Sequence, residues 1–235
     1  MSTDTPVKET AKVSEMEESF LLSNNELAGL QVIYPGMAER DTLNAFRDIR
    51  TRLLHKKPEG NFVVMVSSLD ANASTSNFVA MNLAASIAMD ENKSAIYLDC
   101  NLDAPHADKI LQKKPEVGLT DYLDDENIPV PDIIFPSGLH RLRIVPVGNP
   151  RETAEEQFAS QRMKQLIDHL SERYPNRYVV LDVPPVGSSV VARILAQYVD
   201  YAVLVVPFGK VTERQVLSGI DAVTRQRFAG LVYCD

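Results

Sequence analysis

Three short runs of apolar, β-branched residues, each stopped by a carboxylate or a polar turn, constrain the fold of this chain more than any other feature. Asn61 to Val66, Ser94 to Leu98 and Tyr178 to Leu181 suit buried strands of a sheet covered on both faces. The first is followed by an alanine-rich apolar stretch of helical length, Phe78 to Met89. Leu142 to Val147 and Tyr201 to Pro207 add further strands, and Ala154 to Glu172 and Thr212 to Gln226 add helices. The pattern predicts an α/β fold, a doubly wound and mostly parallel sheet flanked by helices. Asp99 and Asp182 directly follow two of the runs, and carboxylates at the carboxyl ends of parallel strands point at the crevice where such sheets bind nucleotides.

The junction between the first strand and its helix is where a phosphate-binding loop belongs. A loop of the form G-x-x-x-x-G-K-[ST] works because glycines let backbone N–H groups curl around phosphates, the lysine neutralises them and the hydroxyl holds Mg²⁺. Here the turn reads Ser67-Ser68-Leu69-Asp70-Ala71-Asn72-Ala73-Ser74-Thr75-Ser76-Asn77, with neither glycine nor lysine. Every part of that device is missing or replaced.

The 235 residues, 45% of them hydrophobic, supply ample core for one domain, and no apolar stretch approaches the roughly 20 residues of a membrane span. Nothing at the amino end reads as a signal peptide. A net charge of −8 argues against nucleic acid as a partner, because such affinity rests on lysine and arginine neutralising phosphates. Residues 1–25 read as a flexible acidic tail, 26–60 as a linker and an amino-terminal helix, and 61–235 as the α/β domain. Asp41 is the expected cap of that helix, whose apolar positions Leu43, Phe46, Ile49, Leu53 and Leu54 fall near one face and leave Arg47 and Arg50 on an exposed stripe. His55, His106, His140 and His169 lack metal-ligand spacing. The serine pairs Ser67-Ser68 and Ser188-Ser189 have no histidine and aspartate beside them, so hydrolase chemistry is not expected.

Five local matches carry a resemblance. They are Ala45-Phe46-Arg47-Asp48-Ile49-Arg50-Thr51, Asn82-Leu83-Ala84, Leu98-Asp99-Cys100-Asn101-Leu102 with Pro105, Gly118-Leu119-Thr120-Asp121-Tyr122-Leu123, and Leu181-Asp182-Val183-Pro184-Pro185-Val186. In order and spacing they resemble the cytoplasmic domain of bacterial tyrosine autokinases of capsule and exopolysaccharide assembly. This is the CpsD/CapB-like branch of P-loop ATPases with a deviant loop, and the match runs from about Leu43 to Tyr233.

The resemblance places the family's lysine on Ser76, its following hydroxyl on Asn77 and its two glycines on Ala73 and Thr75. It implies a vestigial nucleotide site of Asn72, Ser74, Thr75, Ser76, Asn77, Asp99 and Asp182, with Asn101 where the family usually has a second acidic residue. No catalytic residue and no cofactor are expected, ATP and Mg²⁺ entering only if the site retains binding. Asp99 and Asp182 stand open between residual Mg²⁺ ligands and caps of a turn or helix. Lys93 or Lys210 is the remaining candidate to reach a phosphate.

The family's tyrosine-rich tail has no counterpart around Tyr233, which reads as a packed strand residue. The helix with Arg47 and Arg50 resembles the family's subunit-contact motif, whose acidic member is Asn44 here. The implied role is an inactive kinase-like partner of an inner-membrane, Wzz-like polysaccharide co-polymerase, cytoplasmic, membrane-associated through that partner and at most a weak homo-oligomer. An active tyrosine autokinase and a partition-type positioning ATPase are the alternatives.

Overall fold

A computed structural model of the chain describes residues 16, 18–72, 74–149 and 154–234. Among the described residues seven strands form one sheet: β1 (Val63–Ser68), β2 (Ser94–Asp99), β3 (Phe135–Pro136), β4 (Leu142–Val145), β5 (Arg177–Asp182), β6 (Tyr201–Pro207) and β7 (Phe228–Cys234). Their spatial order is β3-β4-β2-β5-β1-β6-β7, and every pairing is parallel except the short β3–β4 contact. The doubly wound sheet predicted from the apolar runs is therefore present. Its cause is visible along β1: Val63 and Met65 enter the core on one face while Val64 and Val66 enter the core on the other. A strand buried on both sides has no polar position to spare, so it reads as continuous hydrophobicity.

One face is covered by α1 (Asn24–Gly29), α2 (Arg40–Lys56) and α3 (Ser74–Ala88). The other is covered by α5 (Leu119–Asp124), α7 (Gln161–Glu172) and α8 (Val190–Leu195) with the inner side of α9 (Glu213–Val223). The short α4 (Ala107–Leu111) follows β2, and α6 (Ala154–Gln157) precedes α7.

Two of the quoted sequence motifs turn out to be joints. Asn82, buried in α3, accepts the Ile33 N–H at 2.7 Å and donates to the Gln31 carbonyl at 2.9 Å, so its amide fastens the segment after α1 to the central helix. Gly118 touches the backbone of Gly148 so closely that a Cβ would sit 2.5 Å from it, while Asp121 accepts the N–H groups of Gly118 (2.9 Å) and Asn149 (3.0 Å). Gly118-Leu119-Thr120-Asp121 is thus the clasp between α5 and the loop after β4.

Several boundaries differ from expectation. Asp41 does not cap α2, which starts at Arg40 after Glu39; it lies in the first turn, where a carboxylate favours the helix dipole. The single helix expected over 154–172 is two, because Ser160 accepts the Met163 N–H at 3.2 Å and starts α7 afresh. Most of the expected tail lies outside the described residues. Glu18, however, accepts the Arg141 N–H and pairs with Arg143, both at 2.7 Å, and the Leu22 N–H donates to the Gly138 carbonyl at 2.9 Å, so the chain packs on the body from Glu18 onward. Tyr233 lies in strand β7 as expected but is 71% exposed, not packed, because β7 is the edge of the sheet. Among the described residues no helix is long and apolar enough to cross a membrane.

Candidate functional site

The carboxyl ends of β1, β2 and β5 bring the loop 67–77, Asp99 and Asp182 to one crevice, with Asp99 and Asp182 side by side in register on adjacent strands. Sequence and structure agree on that meeting point. What the side chains do there differs from what a phosphate site needs.

Asn72 turns its side-chain oxygen back to the Ser74 N–H at 3.0 Å, so the amide at the start of α3 is already satisfied. Ser74 is exposed, Thr75 half-buried and Ser76 fully buried; Ala73 lies outside the described residues. Asn77 donates to the Ala104 carbonyl at 3.0 Å, and its oxygen faces the Asn101 amide at 3.4 Å. The position that would carry a metal-binding hydroxyl instead ties α3 to the loop after β2. Ser67 likewise spends its hydroxyl on the Pro184 carbonyl at 2.7 Å.

Asp99 is fully buried and saturated. One oxygen accepts the Asn101 N–H at 3.1 Å, and the other accepts the His106 and Ala107 N–H groups at 2.7 and 2.8 Å. Of the two roles open from sequence, the structure displays the cap: Asp99 organises the turn into α4. Asp182 is also fully buried, receives the Tyr97 hydroxyl on one oxygen and has no partner for Oδ1 among the described residues.

These environments separate the two acids. Burial pushes the Asp99 carboxyl up to about 6, against the pull of its three backbone N–H donors. Burial, then the neighbouring Asp99, pushes Asp182 well above the ordinary carboxylate range, and Tyr97 offsets this only in part. Both acids are thus held toward the protonated form, Asp182 more strongly than Asp99.

Of the two lysines named from sequence, Lys93 sits at the opposite, amino end of β2 and pairs with Asp90 at 2.6 Å, while Lys210 is in the exposed turn after β6. A cation that sequence reading missed is Lys109 of α4, which lines a cavity of about 110 Å³ with Ser74, Asn77 and His106. Burial pushes the His106 imidazole down to about 4, so it adds no positive charge there at neutral pH. Nothing in the sequence spacing marks Lys109 or Tyr97, because α4 is five residues long and Tyr97 lies within an apolar run.

ATP with Mg²⁺ does not fit these residues. The loop has no glycine and no lysine, Asn77 and Asp99 are committed to protein groups, and Asp182 offers one oxygen without a partner among the described residues. A triphosphate there would face Asp99 with no lysine in the loop between them, a repulsion of up to ~4 kcal/mol per charge pair at moderate screening.

The proposed interface arginines differ from each other. Arg47 is exposed on α2. Arg50 is half-buried and donates to the Ser86 carbonyl of α3 at 2.8 Å, so it fastens two helices and is not part of a free stripe.

No family model matches the chain. It is 27% identical over 175 residues to a protein described as a tyrosine-protein kinase in the cps region of Klebsiella pneumoniae, covering 74% of this chain and 24% of that one. It is 22% identical to a tyrosine-protein kinase named CapB of Staphylococcus aureus, covering 77% of each chain. It is 32% identical to the tyrosine-protein kinase CpsD of Streptococcus agalactiae, covering 49% of this chain and 50% of that one. The chain thus spans a quarter of the first relative and half of the third. In structure it is similar to the chimerical protein CapA2B2 (TM-score 0.75, 20% identity, 92% of each chain). It is also similar to the kinase domain of the Escherichia coli tyrosine kinase ETK (TM-score 0.73, 21% identity, 81% of this chain and 74% of that one). The cell division ATPase MinD of Pyrococcus furiosus shares the fold at a TM-score of 0.59 with 16% identity, covering 73% and 70%.

Proposed function

We propose that the chain is a catalytically inactive member of the CpsD/CapB-like family of bacterial tyrosine kinases, built on the P-loop ATPase fold and acting as a binding partner in capsule or exopolysaccharide assembly. The observation that carries this reading is the conversion of the phosphate loop into protein contacts: Asn72 on its own helix start, Asn77 on Ala104, and Asp99 on α4. Phosphoryl transfer depends almost wholly on positioning and charge stabilisation, so a site without lysine or backbone cradle loses several kcal/mol at the transition state.

With the chemistry gone, function rests on surfaces. The partner is a membrane-anchored polysaccharide co-polymerase of the Wzz type, and the contact runs through α2 with Arg47 as its charged member. Arginine suits bidentate pairing with a partner carboxylate. Asn44 in place of an acidic residue weakens self-association through the same helix, leaving the isolated chain a monomer or weak dimer.

The two arginines give a test. Arg47→Glu is expected to weaken co-purification with the co-polymerase by ~2 kcal/mol while leaving thermal stability unchanged. Arg50→Glu is expected to lower stability by about 1–2 kcal/mol, because it removes the bond to Ser86 and places a carboxylate against a helix carbonyl. An undiminished complex with Arg47→Glu, or a stable closed ring of the purified protein, would overturn the docking assignment.

A further inference from the structure

At the amino ends of β4 and β5, the opposite end of the sheet from the crevice, three arginines meet around one cavity. Arg143 from β4, Arg173 from the carboxyl end of α7 and Arg177 from the start of β5 line a space of about 390 Å³. Tyr174 lines it too, with the Arg177 guanidinium 4.0 Å and the Arg173 guanidinium 5.9 Å from the ring centroid. Met16, Pro131 and Ile134 complete an apolar wall.

One of the three positive charges is matched: Arg143 pairs with Glu18 at 2.7 Å. Arg177 is not. It is only 5% exposed, shows no carboxylate partner among the described residues, and its Nε is buried with no hydrogen-bond acceptor. Burial and the nearby Arg173 and Arg143 push its pKa down to about 10, with Tyr174 partly offsetting them, so it stays protonated at neutral pH. A buried guanidinium without an anion costs several kcal/mol, and a chain with a net charge of −8 has no general need to gather arginines.

We propose that this arginine cavity is a binding site for a phosphate-class oxyanion, held by the forked donors of Arg177 and Arg173 beside the existing Glu18–Arg143 pair. Planar guanidinium groups match phosphate oxygens bidentately, and Met16, Pro131 and Ile134 line the apolar side of the cavity. The site is independent of the vestigial nucleotide crevice.

The test is titration of the full-length protein with inorganic phosphate and with pyrophosphate, against sodium chloride at matched ionic strength, followed through the arginine Nε–H signals by NMR. The Arg177 and Arg173 signals are expected to shift saturably while that of Arg214, on exposed α9, stays still. Arg173→Ala, at an exposed position, is expected to weaken binding about tenfold, the loss of one charge-assisted contact. Arg177→Lys, which keeps the charge and removes the fork, is expected to weaken it at least as much. Equal shifts at Arg214, no saturation, or binding undiminished in Arg173→Ala would overturn the site. So would binding that appears only after Glu15→Gln and Glu17→Gln, since the cavity would then serve the chain's own carboxylates.

Discussion

Replacing Asp182 by asparagine is expected to make the fold less sensitive to rising pH and more stable at pH 8, the opposite of what loss of a working metal ligand does to an enzyme's function. The substitution is nearly isosteric, and the amide oxygen can still accept the Tyr97 hydroxyl. It removes a carboxyl that burial and Asp99 hold well above its ordinary pKa. A carboxyl raised in this way adds its stability below pH ~4, where both folded and unfolded chains are protonated, and loses it as pH rises toward the folded value. The native protein should therefore weaken between pH 4 and 8, and Asp182→Asn should flatten that slope. Asp99→Asn should instead destabilise the fold. Its two oxygens take three backbone N–H groups, so an amide nitrogen must face at least one donor, at a cost of about 2 kcal/mol. Denaturant unfolding at pH 5 and pH 8 reads both effects, and a less stable Asp182→Asn at pH 8 would mean that the buried acid is held charged by a group other than Tyr97.

Restoring the family's lysine and hydroxyl is expected to leave nucleotide affinity almost unchanged. Ser76→Lys places an ammonium group where the present side chain is fully buried, and Asn77→Thr cuts the tie to Ala104. Neither supplies the backbone curl, which Thr75 opposes because a β-branched residue resists positive φ. Adding Ala73→Gly and Thr75→Gly to the pair should raise Mg-ATP affinity at least ~100-fold over the double variant, since the N–H groups then turn toward the phosphates and the lysine gains its anion. Equal affinity in the double and quadruple variants, read with a fluorescent nucleotide, would show that the lysine alone had been limiting.

How legible these features were in the sequence follows from what holds each in place. β6 could be read to its ends, Tyr201–Pro207, because a doubly covered strand leaves no polar position to blur its limits. The crevice was legible for the same reason: Asp99 and Asp182 end two such runs. The commitments of those acids were not, because Asp99 is satisfied by backbone groups of residues 101, 106 and 107, which no side-chain pattern reports. Short helices such as α1 and α4 complete fewer than two turns and so leave no periodic stripe. Arg50 was misplaced because helical spacing locates its face but not the α3 carbonyl that draws it inward. Tyr233 was misplaced because an apolar run says strand without saying edge.

Calorimetric titration of Mg-ATP into the purified chain tests inactivity most directly. With Asn77 and Asp99 committed to protein groups and no lysine in the loop, no heat beyond dilution is expected up to about 1 mM nucleotide. A saturable one-to-one isotherm with Kd below about 100 μM, abolished by Asp182→Ala, would contradict it.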